Sequence, residues 1–129
     1  DVDEFHYYYS SPNRPPAIYH ANATSNTSLK VWQKQVNNFD ESDYVVERIF
    51  NEVRDGTMVP STLIYKSNSS LDRPILFYGY GSYGINTEAR FRESILPLLN
   101  KGFIFVYCSI NLERSANISS LKSFGDLYK

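Results

Sequence analysis

Apolar and polar residues along this chain fall into two styles. The first third is made of short strand-like runs separated by polar turns. Glu4 to Ser10 is aromatic and stops at Ser11-Pro12-Asn13. Pro15-Pro16 precedes a short strand, Ala17 to Ala21, and an Asn/Ser/Thr turn leads to another, Leu29 to Gln33. Short strands punctuated by turn residues predict a meander. Lys34 to Asp43 is polar and reads as a linker. From Tyr44 the runs lengthen. Tyr44 to Arg54 has strand character, Asp55-Gly56 is a two-residue hairpin signal, and Met58 to Lys66 is the returning strand. Asn68 to Asp72 is a loop, and Ile75 to Tyr80 reads as a continuous buried strand.

Between Glu88 and Asn100, Phe91, Ile95, Leu98 and Leu99 recur near helical spacing, with Pro97 as an interruption. Lys101-Gly102 supplies a cation and a C′ glycine to stop that helix. Phe103 to Ile110 is the next buried strand. A hairpin followed by strand, helix and strand predicts an α/β fold with an antiparallel edge beside a parallel sheet. The tail from Asn111 is polar, and no internal repeat is visible.

Composition narrows the picture. A length of 129 residues suits one ordinary domain, and 42% hydrophobic residues suit a globular chain. A net charge of −1 gives no reason to expect nucleic acid or anionic lipid as a partner. No run reaches the ~20 apolar residues of a membrane span, and no signal peptide opens the chain. The expected location is therefore cytoplasmic. The first residue is Asp, within strand-like sequence, so a processed chain or a fragment is expected. The single cysteine, Cys108, excludes an internal disulfide and a multi-cysteine metal site, and its apolar run predicts a buried inert thiol. Asn22, Asn26, Asn68 and Asn117 open Asn-x-Ser/Thr triplets, which we read as Asn/Ser-rich composition rather than glycan acceptors.

The candidate chemistry lies where the strand from Ile75 breaks into Gly79-Tyr80-Gly81-Ser82-Tyr83-Gly84. Gly79-x-Gly81-x-x-Gly84 matches the dinucleotide fingerprint, whose backbone amides would cradle a pyrophosphate at a helix N-terminus. The bulky Tyr80 and Tyr83, a helix pattern that starts late, and a first available acid at Glu113, well past the required spacing, oppose it. Ser82 is a poor elbow nucleophile, because Tyr80 stands where that strained turn needs glycine. His6 and His20 precede every α/β element, whereas such hydrolases place their histidine after the serine, so both read as surface histidines of the meander. A third possibility is a loop presenting a phenol to an oxyanion, a donor of a kind worth ~3 kcal/mol of barrier. Spacing alone leaves that reading level with an aromatic cluster packed on a neighbouring domain.

Several segments in order bear a family resemblance: Glu47-Arg48-Ile49-Phe50, Arg54-Asp55-Gly56-Thr57-Met58-Val59-Pro60, Leu76 to Gly84, and Asn100-Lys101-Gly102-Phe103. Tyr44 to Tyr107 resembles the start of the catalytic domain of the prolyl oligopeptidase family of serine peptidases, nearest its oligopeptidase B branch. Phe5 to Ser11 and Pro16 to Tyr19 resemble the last strands of the β-propeller that caps these enzymes. The resemblance implies the N-terminal part of an α/β-hydrolase domain (39–129) preceded by the end of a propeller (1–38). It implies hydrolysis of short peptides by a Ser-Asp-His triad without metal or cofactor. It assigns the oxyanion-hole side chain to Tyr80 and a place near the substrate pocket to Tyr83.

The family's triad lies downstream of the strand matching Phe103 to Ile110, so no triad residue is expected here. The expected partners are peptide substrates and the remainder of the same polypeptide. Relatives follow that strand with Arg-Gly-Gly, whereas this chain continues Asn111-Leu112-Glu113-Arg114-Ser115. Leu121 to Leu127 resembles sequence found somewhat later in relatives, as if a piece were missing. The resemblance thus ends at Ile110. A non-catalytic family member acting as a binding or scaffold module is the alternative, beside the dinucleotide-binding one. Incomplete sheets also predict that the chain aggregates or is partly disordered when expressed alone.

Overall fold

The computed structural model describes residues 3–52, 56, 58–68, 72–79 and 87–108. They form two sheets. The first contains β1 (Glu4–Ser11), β2 (Arg14–Asn22) and β3 (Thr27–Gln33), in that order and antiparallel. Tyr7 faces Tyr19 in register, and their rings stack at 5.1 Å. Such pairs are the units that stabilise a sheet. β2 starts earlier than its sequence suggests and takes in Pro15 and Pro16. The β1–β2 register is irregular between Tyr9 and Ser11, opposite the prolines, so the missing N–H groups break no regular ladder there.

The second sheet contains β4 (Tyr44–Glu52), β5 (Met58–Lys66), β6 (Ile75–Gly79) and β7 (Ile104–Cys108), ordered β4-β5-β7-β6. β4 pairs with β5 and β5 with β7 antiparallel, while β6 and β7 run parallel. The expected antiparallel edge beside a parallel pair is present. Gly56 adopts φ +81°, a conformation open to glycine at little cost, at the hairpin between β4 and β5. Asp55 lies outside the described residues.

Every residue of β7 is buried. Phe105 and Tyr107 point to one face, with Tyr44, Ile64, Phe91, Ile95, Leu96 and Leu99. Ile104, Val106 and Cys108 point to the other, with Leu63. A strand covered on both faces loses the polar alternation of a half-exposed one, which explains the apolar run. The polar stretch before β4 is more than a spacer, because Val36 and Phe39 pack on the first of these clusters.

Two expectations need correction. The helix occupies only Leu96–Asn100 (α1), after a 3-10 turn at Glu93–Ile95, and residues 88–92 are not helical. Pro97 is the reason: it lies in the first turn of α1, where its missing N–H breaks no helical hydrogen bond. Phe91 and Ile95 still reach the core from outside the helix. The stop at Gly102 is as expected. Its φ is +90°, its N–H donates to Leu99 O at 3.0 Å, and the Phe103 N–H donates to Leu98 O at 3.1 Å. The second correction concerns β6, which reads as a buried strand but is exposed from Leu76 onward. It is the outermost strand of its sheet among the described residues, so no neighbour covers that side.

Candidate active site

β6 carries the candidate chemistry to its C-terminal end. It pairs with β7 from Ile75↔Ile104 to Gly79↔Cys108. Ligand and catalytic groups of open parallel sheets gather beyond such carboxyl ends. Tyr80, Tyr83, Gly81, Ser82 and Gly84 follow directly in sequence and lie outside the described residues, as do Glu113 and Asn117. The structure therefore describes the strand that supports the glycine-tyrosine segment.

That support is aromatic. The Tyr78 ring lies 6.0 Å from Phe105 and 6.3 Å from Tyr107, the latter pair edge-on at 77°. The guanidinium carbon of Arg92 sits 4.1 Å from the Tyr78 ring centroid and 5.8 Å from that of Tyr107. The Tyr107 hydroxyl donates to the carbonyl of Arg90 at 3.0 Å. Burial pushes the Tyr107 phenol up to about 12, against a smaller opposing pull from Arg92. It is thus a neutral donor at physiological pH, held to a backbone carbonyl. Sequence reading missed both Arg92 and Tyr107. The signal available for them was a phenol inside an otherwise apolar run, and an arginine beside Phe91.

On the opposite face a small polar chain is buried. The Asn51 side-chain amide donates to Ser61 Oγ at 3.4 Å, and Ser61 Oγ donates to Cys108 Sγ at 3.9 Å. Burial raises the Cys108 pKa, with the Ser61 hydrogen bond opposing. A thiol so placed stays protonated and unreactive at neutral pH, as its apolar run predicts.

The two histidines lie on the other sheet. Their rings stack at 4.9 Å, and His20 Nε2 is 3.6 Å from Glu4 Oε2. The fingerprint reading finds no helix where it needs one among the described residues. α1 opens at Leu96, far from Gly79 in sequence, and follows the 3-10 turn at Glu93–Ile95. Of the Asn-x-Ser/Thr asparagines, Asn22 donates to Glu4 and accepts from the Ser25 N–H, which builds the turn after β2.

No protein-family profile matches the chain. Individual proteins do. Dipeptidyl aminopeptidase BI of Pseudoxanthomonas mexicana is 33% identical over 112 residues, covering 84% of this chain and 16% of that protein. Prolyl endopeptidase of Elizabethkingia meningoseptica is 35% identical over 107 residues, 80% of this chain and 15% of that protein. The solved structure of oligopeptidase B from Trypanosoma brucei, in a closed form with covalently bound antipain, superposes with a TM-score of 0.75 at 32% identity. It covers 84% of this chain and 16% of the solved one. This chain belongs to the prolyl oligopeptidase family. It spans about one sixth of the length of the family members it matches. Among the described residues, no helix is long and apolar enough to cross a membrane.

Proposed function

We propose that this chain is part of a serine oligopeptidase acting on short peptides, and that it supplies the oxyanion donor Tyr80 while the Ser-Asp-His triad lies elsewhere in the polypeptide. On this reading residues 1–38 are the end of a propeller and residues 39–129 the opening of an α/β-hydrolase domain. The observation that carries it is the β6–β7 parallel pair ending at Gly79, in a chain that matches oligopeptidase B across both of its sheets. The phenol of Tyr80 donates to the oxygen that becomes negative when the serine attacks the peptide carbonyl. Such a donor acts on charge absent from the ground state, so it lowers the barrier rather than tightening substrate binding. Tyr83 lines the substrate pocket. The chain alone is inactive, because an oxyanion donor has nothing to assist without a nucleophile and base. A cytoplasmic location belongs to the same proposal.

Two experiments test it. The transcript read beyond Lys129 should encode a Gly-x-Ser-x-Gly elbow, whereas its absence favours a non-catalytic scaffold. In the complete polypeptide, Tyr80→Phe should lower kcat about 100-fold or more with little change in KM and no loss of folding. An unchanged kcat removes the oxyanion role.

A further inference from the structure

The two histidines of the first sheet have no part in the peptidase reading, yet the strand register sets them against each other. The β1–β2 ladder is regular from Glu4↔Asn22 to Tyr9↔Ala17 and pairs His6 with His20. One residue further out, the Ala23 N–H donates to Asp3 O at 2.7 Å. Opposite residues of an antiparallel pair alternate between hydrogen-bonded and non-hydrogen-bonded positions. Counting from Asp3 and Ala23, His6 and His20 occupy a non-hydrogen-bonded position, where side chains stand closest. Their rings stack at 4.9 Å, with planes 23° apart. Both reach solvent among the described residues: His6 is exposed, and the His20 side chain is 36% exposed. Glu4, two residues before His6, projects from the same face. Its Oε1 accepts from the Asn22 amide at 3.3 Å, and its Oε2 lies 3.6 Å from His20 Nε2.

We propose that His6 and His20 chelate one divalent transition cation across the β1–β2 pair, with the Glu4 carboxylate beside it offsetting the charge. Neutral imidazole suits Zn2+, Cu2+ and Ni2+. Two ligands of a tetrahedral zinc, each at ~2.0 Å, lie roughly 3.3 Å apart. Rings with centroids 4.9 Å apart bring nitrogens to that separation by small turns about the Cβ–Cγ bond, a soft torsion in histidine. Among the described residues no group of three His, Cys, Asp or Glu side chains is arranged to hold a metal. The site is therefore a two-histidine chelate, with water in the remaining positions. It lies on the first sheet, whereas β6 and its C-terminal end belong to the second. The cation thus takes no part in peptide chemistry. It ties β1 to β2 towards the end of the hairpin away from its turn.

Calorimetric titration with Zn2+ tests this, on the complete polypeptide, untagged and stripped with EDTA. A Zn2+ binding step of the wild type should be at least about 10-fold weaker in His6→Phe and in His20→Phe, a loss seen even for partners outside a coordination shell. Phenylalanine keeps a stacked ring and removes the ligand nitrogens, so these variants separate chelation from packing. Substoichiometric Cu2+ should give an electron paramagnetic resonance spectrum with two coupled imidazole nitrogens in the wild type and one in either variant. A cation that binds only the folded hairpin also stabilises it. Zn2+ should therefore raise the thermal midpoint of the wild type more than that of either variant. Titrations that superpose for all three proteins, flat or not, overturn the proposal and leave the histidines as a packing pair. Cu2+ coupled to a single nitrogen in the wild type is equally fatal. Should a phenylalanine variant fail to fold, His6→Gln and His20→Gln keep a polar side chain on that exposed face, and the same comparison decides. The peptidase reading stands or falls separately, because this site shares no residue with it.

Discussion

Tyr107 shows how one side chain serves both packing and polarity. Its ring is 1% exposed, in contact with Phe105 at 4.9 Å, while its hydroxyl meets the Arg90 carbonyl. A buried hydroxyl without that partner would be costly. Ionising it is costlier, which is why burial lifts it to about 12. The sign of the linkage follows. A tyrosine in an unfolded chain ionises near ~10, so the folded state favours the neutral form and this stabilisation is complete below that pH. It is lost as pH climbs from about 10 towards 12, by roughly 2–3 kcal/mol. Urea melts at pH 9 and pH 11.5, on any soluble form containing both sheets, should show this fall. Tyr107→Phe should flatten it, and a slope identical in the variant would assign the loss to other groups. The sequence showed a tyrosine in an apolar run. It did not show that the hydroxyl had a partner, because Arg90 is distant in sequence and meets it only where the irregular segment before α1 packs on β7.

At the level of elements, α1 is too short to be stable by propensity. It persists because Leu96 and Leu99 are buried against Ile64 and Phe105, and because Gly102 closes its C-terminus. Leu99 is fully buried. Leu99→Ala should therefore cost about 2–5 kcal/mol, read as a lowered urea midpoint. Phe50, at 59% exposed, should tolerate the same change with under ~1 kcal/mol. Strand identities, the hairpin and the glycine stop were legible because each is a local signal. The helix start was not. Apolar spacing of three and four residues is shared by a helix and by an extended segment that drops Phe91 and Ile95 into one core. Pro97 decides between them by fitting only the first turn. The burial of β6 was misread for a different reason: an apolar run reports what a strand is suited to touch, not whether its neighbour is present.

At the scale of the whole molecule, among the described residues, a few polar contacts join the first sheet and its flanking turns to the second sheet and the segments packed beside it. Asn13 Nδ2 donates to Tyr44 O at 3.3 Å, Arg14 lies 3.5 Å from Glu41, and Lys34 lies 2.7 Å from Glu93. The charged pairs are substantially exposed and contribute little. Meanwhile Tyr8, Leu29 and Trp32 stand out from the first sheet, and Leu76 and Phe77 from β6. Apolar area on this scale marks surfaces suited to contact with further protein. Expressed alone, the 129 residues should aggregate or bind anilinonaphthalene sulfonate strongly. A longer piece carrying further strands next to β6 should melt cooperatively. A cooperative melt of the 129-residue monomer, without dye binding, would contradict this.

By itself the sequence determined the alternation of strands and turns, the two styles of sheet and the family, since each is written in residues close together along the chain. Only the tertiary structure decided that Arg92, Tyr78 and Tyr107 form one cluster, that the helix shrinks to five residues, and that β6 is the outermost strand of its sheet among the described residues. These depend on contacts between residues many positions apart. Such contacts follow from how strands are ordered across a sheet, and local pattern does not encode that order.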